Sequence, residues 1–187
     1  MKQIYISYNI DQMCGVEKEL KKAEEIDLTG EDLHRMTGGK SNIIKYSDLR
    51  HYNNINSVLG QHGACIILYE TEMNFGHWTL VFKVNSTTLE HFDSYGLRLE
   101  AELRIAPQTT DEQGRPLLST LINKSGYKLI ENLHQLQEKK EHVNTCGRWC
   151  VLRLIFRDET LNEFVRLFTK NHYYKADLWA TALTYLL

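Results

Sequence analysis

The chain has 187 residues, 42% of them apolar and 25% charged, with 22 Lys and Arg against 24 Asp and Glu for a formal charge of −2. A domain of this length buries about 70% of the surface its unfolded chain exposes, so it needs no disulfide staples. The balanced charge excludes a strongly basic nucleic-acid binder and an acidic disordered tail, and two prolines, four cysteines and no Ser/Gly tract exclude collagen, mucin-like stalks and disulfide scaffolds. The opening stretch MKQIYISYNIDQ holds no apolar run of signal-peptide length. The longest clean apolar run, Ala64 to Tyr69, is far short of the ~20 residues a membrane span needs. A reducing, aqueous compartment with free thiols and no membrane association is expected.

No repeat or low-complexity tract interrupts residues 1–187, so a single domain is expected, with 1–40 as a helical N-terminal segment. Residues 1–60 read as helix and loop. Asp11 to Glu25 is rich in Glu, Lys and Leu, and Thr29-Gly30-Glu31-Asp32 has the composition of a helix cap before Leu33 to Met36. Thr37-Gly38-Gly39-Lys40 is a loop, and without the GxxxxGK[ST] spacing it does not read as a phosphate site. The middle of the chain is β. Ala64 to Tyr69 suits a buried strand. The large apolar residues at 78, 80, 82 and 84 give His77 to Val84 the period of two that marks a strand with one core face. Leu89 to Asp93 runs back as the second arm of an antiparallel hairpin.

The remainder is mostly helical. Pro116 to Lys124 is a short helix, and Tyr127 to Gln137 is one more strand before the polar loop 138–142. Asn144-Thr145 stand where an N-cap belongs, ahead of Cys146 to Phe156, a helix apolar on most sides and therefore buried. Leu161 to Thr169 and Ala176 to Leu187 are amphipathic helices. The expected fold is α+β, a small and mainly antiparallel sheet flanked by helices, one of them central.

Cys146 falls in the first turn of the buried helix, where backbone N–H groups are unpaired and the dipole favours negative charge. An ordinary thiol, with a pKa near ~8.5, is about 3% thiolate at pH 7; a helix start and a neighbouring imidazolium turn it into a standing nucleophile. Gly147 beside it leaves room for a substrate backbone. A connection over 84–86 makes 83 face 87 and 77 face 93, so His77 and Asp93 become opposed neighbours, with Trp78 against Phe92 on the core side. Gln137, or Gln135 on the same strand face, offers an amide to a developing oxyanion.

The words Gly76-His77-Trp78, Phe92-Asp93-Ser94-Tyr95-Gly96, Leu136-Gln137 and Asn144-Thr145-Cys146-Gly147-Arg148-Trp149 together resemble the adenain-like cysteine proteases. These are the viral branch of the superfamily that includes the ubiquitin-like-protein deconjugating enzymes, and the local words look most like the form in virophages and Polinton-type elements. The likeness covers about residues 46–187, with Tyr46-Ser47-Asp48-Leu49, the strand GACIILYE and the tail around Asp177-Leu178-Trp179. It implies Cys146 as nucleophile, His77 as general base and acid, Asp93 as the group orienting the histidine and Gln137 as oxyanion donor, with Trp78 shaping the site. The stretch from Gln137 to Cys146 is longer than in adenain, which keeps Gln135 open. The resemblance further implies cleavage of viral capsid or structural precursors after small residues such as glycine, a monomer, and residence in the host cytoplasm (the viral factory) and the virion. It implies no metal or other required cofactor.

Adenain is stimulated by a viral peptide and by DNA. The charge of −2, with no denser basic cluster than Lys21-Lys22 or Lys139-Lys140, predicts weak or no activation by nucleic acid. Cys14 and Cys65 are candidate partners for a peptide in a mixed disulfide, or incidental thiols. Three other readings use the same residues: a ubiquitin- or SUMO-like deconjugating protease, a zinc-binding interaction domain with Cys146, Cys150 and His142 as ligands, and an inactive capsid accessory.

Overall fold

The computed structural model describes residues 10–104, 116–170 and 175–187, with side chains from Val16 onward. In chain order the elements are α1 (Ile10–Glu24), α2 (Gly30–Met36), β1 (Asn42–Lys45), a 3-10 turn (Tyr46–His51), α3 (Ile55–Leu59), β2 (Ala64–Glu72) and β3 (Phe75–Asn85). They continue with β4 (Thr88–Phe92), a second 3-10 turn (Ala101–Arg104), α4 (Leu117–Ser125), β5 (Lys128–Glu131), α5 (Cys146–Ile155), α6 (Leu161–Thr169) and α7 (Ala176–Thr184). The fold is α+β. Its five strands lie in the order of the sequence. The central three pair antiparallel, and β1 and β5 join them in parallel.

The sheet is covered on both faces, so β3 lacks the solvent face that the period of two predicts: Trp78 to Phe82 are all buried. Leu80, Phe82, Phe92, Ile66 and Leu68 pack against Trp149, Val151 and Phe164 of α5 and α6. The alternate residues Cys65, Ile67, Tyr69, Val81 and Leu89 pack against Tyr46, Leu49, Ile55 and Leu118. Opposite pointing of successive side chains sends one strand into two cores. Helix α5 is buried from Cys146 to Leu154, as its apolar circumference requires.

Three predicted elements differ. The hairpin pairs Leu80 with Phe92 and Lys83 with Leu89, but Asn85 with Thr88, so one extra residue bulges at Val84. The register is therefore two residues from the predicted one, and Val84 is 43% exposed rather than core. Across the other side of β3, Trp78 faces Leu68 and His77 faces Tyr69. The strand predicted over 127–137 stops at Glu131, because the Asn132 side chain accepts from His134 N and donates to the Asp93 carbonyl, turning the chain. Helix α7 ends at Thr184 rather than at Leu187. The predicted cap of α2 is present as a reciprocal capping box between Thr29 and Asp32. Strand β1 and helix α3 lie within the stretch 1–60, where the sequence marks neither of them.

Candidate active site

The site gathers at one end of the sheet, where β3 begins, β4 stops and α5 starts. His77 is not directly opposite Asp93, since β4 ends at Phe92 and Leu80 takes Phe92 as partner. A register change of two preserves the face on which each side chain lies, and His77 Nε2 still stands 3.3 Å from Asp93 Oδ1. Tyr95 stacks on the imidazole at 4.7 Å between centroids. Asp93 is fully buried, and its Oδ1 also accepts from Tyr95 N at 2.6 Å. Burial opposes charge on His77, but hydrogen bonding and attraction to Asp93 and Cys146 prevail and raise its pKa to about 10. Burial would likewise raise Asp93; its interactions with His77 and Glu102 hold it well below the usual carboxylate range.

The turn 93–96 and the loop 132–137 are fastened together. Leu136 N and Gln137 N both donate to Ser94 O, at 2.8 and 2.9 Å, and Ser94 Oγ donates to Gln137 Oε1 at 2.7 Å. Gly96 has φ +69°, and a Cβ there would come within 2.8 Å of the backbone at His134, so only glycine fits. Gln137 is 1% exposed; its Nε2 donates to Val143 O at 2.9 Å and to Tyr95 Oη at 3.2 Å. Gln135 lies outside this arrangement. It is exposed and donates to the Gln137 carbonyl, and with no strand there the two do not share a strand face.

Thr145 occupies the N-cap position of α5, but its side chain makes no capping bond. Its hydroxyl donates instead to Asp177 Oδ1, which also accepts from Trp149 Nε1 at 2.8 Å, while Asp177 Oδ2 accepts from Glu138 N at 2.8 Å. One buried carboxylate thus ties α7, α5 and the 138 loop together and leaves the first-turn N–H groups of α5 without a side-chain cap. Asn144 and Arg148 fix the same turn to α1 through the carbonyls of Glu24, Glu25 and Ala23.

Gly147 does not open toward a substrate backbone: a Cβ would lie 3.1 Å from Leu33 and 3.3 Å from Leu28, so its smallness serves packing within the chain. Trp78 is 7% exposed and donates from Nε1 to Leu28 O at 2.9 Å, walling the site from within. Cys150 is buried, with its sulfur 3.5 Å from Trp78 O, and Cys65 lies in the core of β2. Burial pushes both thiols up. The side chain of Cys14 lies outside the described residues. The zinc set Cys146, Cys150 and His142 does not converge, because Cys150 points to Trp78 O and His142 is exposed. Sequence reasoning missed three members of the site. Tyr95 sits inside the FDSYG word, whereas Glu102 and Asp177 carry no local signal of their roles.

A five-stranded α+β fold presenting a cysteine at the start of a buried helix, beside an ion-paired histidine and aspartate, defines a protein with a Cys–His–Asp cluster. No protein-family model matches the chain. It is 38% identical over 150 residues to the uncharacterized protein V9 of Sputnik virophage, a match that spans 79% of this chain and 86% of that protein. The chain belongs to the family of that virophage protein. Among the described residues no helix is long and apolar enough to cross a membrane.

Proposed function

We propose that the protein is a cysteine endopeptidase of the adenain-like type that processes viral capsid or other structural precursors. The observation that carries the reading is the convergence of Cys146, His77 and Asp93 on one site, with the Gln137 amide held beside Val143. The virophage relative supports a viral role, with the host cytoplasm (the viral factory) and the virion as its places of action.

In this mechanism an imidazolium at His77 and a thiolate at Cys146 form the reactive pair, and Asp93 holds the ring. The sulfur adds to the scissile carbonyl. The oxyanion takes hydrogen bonds from the uncapped N–H groups of α5 and from Gln137 Nε2, which gives up its longer bond to Tyr95. His77 passes its proton to the leaving amine, and a thioester remains. Water then attacks the thioester with His77 as base, releasing the carboxylic acid and restoring the thiol. Cys146 is 8% exposed and Gln137 1%; so closed an approach favours small residues such as glycine on the acyl side of the cleaved bond.

The test is co-expression with the structural proteins of the same genome, read by intact mass, with ubiquitin- and SUMO-like conjugates as parallel substrates. Discrete fragments are expected from a structural precursor with wild type, and a loss of at least about 1,000-fold in rate with Cys146→Ala. Cleavage retained by Cys146→Ala would overturn the assignment, and cleavage of the conjugates alone would move it to the deconjugating class.

A further inference from the structure

Several buried polar groups with unpartnered side-chain atoms, Tyr69, Thr79, His91 and Glu102, are not used by the mechanism. Glu102, in the second 3-10 turn, is 2% exposed, and neither of its carboxyl oxygens meets a donor among the described residues. Asp93 Oδ2 is also without a donor there, whereas Oδ1 accepts from Tyr95 N and lies 3.3 Å from His77 Nε2 in the ion pair. One polar atom each from His77, Asp93 and Glu102 lies within 4.8 Å of the others. Two ionised carboxylates this close, and buried, repel each other and leave acceptor facing acceptor. A single proton held between them removes the repulsion and gives Asp93 Oδ2 a donor.

The surroundings decide which carboxyl keeps it. The titratable groups that act on Glu102 or are acted on by it are Asp93 after β4, His77 on β3 and Tyr69 on β2. His77 is the cation among them, and its Nε2 is turned to Asp93 Oδ1. We propose that Glu102 is a positioning residue that carries a proton at neutral pH and donates it in a hydrogen bond to Asp93 Oδ2, holding Oδ1 toward His77. Burial first, then the close approach to Asp93 and its charge, push the Glu102 carboxyl far above the ordinary range, consistent with that assignment. The consequence for turnover rests on the peptidase reading; the proton itself does not.

The test therefore uses two readouts that need no peptide substrate. Infrared spectra at pH 7 should show a buried carboxylic-acid carbonyl band in wild type that disappears in Glu102→Gln. Alkylation of Cys146 by iodoacetamide, followed by mass across pH 5–10, should be slowed about 10-fold or more at pH 7 by Glu102→Met, because a hydrogen bond to a charged group is lost. Glu102→Gln, whose amide N–H replaces the acid proton, should restore the rate to within about threefold of wild type and recover the pH profile. Should Glu102→Met fail to fold, the infrared band and the Glu102→Gln profile still decide. No acid band, an equal loss in Gln and Met variants, or no loss in a folded Met variant would each overturn the proposal. So would a stoichiometric metal ion that leaves with Glu102→Gln. Absence of proteolysis alongside a positive Glu102 result would refute the peptidase reading and leave this one standing.

Discussion

His91 is the residue whose replacement most directly tests the electrostatics of the site. It lies on β4 between Val81 and Glu131, is fully buried, and neither ring nitrogen has a partner among the described residues. Burial lowers its pKa to about 4 against the opposing pull of Asp93 and Glu131, while His77 adds to the lowering. Above pH 6.5 the ring is neutral in both folded and unfolded chains, so its titration costs nothing. Below 6.5 the unfolded chain takes up a proton that the folded chain refuses until about pH 4, and stability falls by ~1.36 kcal/mol per pH unit. At pH 5 the loss from this residue is about 2 kcal/mol. His91→Leu, close to histidine in volume, removes that loss and the two orphaned nitrogens, so at pH 7 the variant is expected to match or exceed wild type in stability. Urea unfolding of both proteins at pH 7 and pH 5 measures the difference. Wild type should lose about 2 kcal/mol more than the variant; equal losses would mean that the ring is charged or solvated in the fold, and the reasoning would fail.

Two further substitutions probe what holds the site in place. Glu90 and Arg153 form a buried ion pair with contacts of 2.7 and 2.9 Å, so Glu90→Ala should cost about 3–5 kcal/mol by stranding the guanidinium; urea unfolding measures it, and adding Arg153→Met to Glu90→Leu should recover most of the loss. Asp177→Ala leaves the Thr145 hydroxyl, Trp149 Nε1 and Glu138 N without their acceptor and should cost about 3 kcal/mol in thermal or urea unfolding, with a larger fall in Cys146 alkylation than the stability loss alone would give.

The helices and strands carrying the motif are legible because their apolar spacing is strong: α6 falls at 161–169 as its spacing predicts, and α5 starts at Cys146 as predicted. Strand β1 is not legible, since four residues, Asn42 to Lys45, are too few to show a period of two. The bulge at Val84 leaves no mark either, because valine suits a regular strand and a bulge equally. Asn132 does carry a turn signal, but the partner that makes it a turn, the Asp93 carbonyl, lies 39 residues away in the chain and leaves no local mark. Glu102 is not marked in the sequence, and Asp177 enters there only within the tail that the resemblance covers, because the role of each depends on burial beside a partner far along the chain.

Hairpin pairing predicts that His77 and Asp93 meet, for a reason that the fold replaces with a sturdier one. Direct cross-strand opposition would make the contact depend on one hairpin register, and hairpin registers slip. In the structure Asp93 stands just past the end of β4, and its position is set from several directions. Asn132 holds its carbonyl at 2.6 Å, Gly96 N reaches the same oxygen at 3.0 Å, and Tyr95 N holds its carboxylate at 2.6 Å. The loop 132–137 supplies this support and also delivers Gln137, through the two bonds to Ser94 O. The close approach at Gly96 is what lets turn and loop meet. Asp93 and Gln137 are therefore placed by one shared turn–loop unit, whereas Cys146 is placed by α1 and by Asp177, which meets the chain just past that loop, at Glu138 N. Damage to the turn should accordingly disturb His77 orientation and oxyanion binding together while leaving the start of α5 intact.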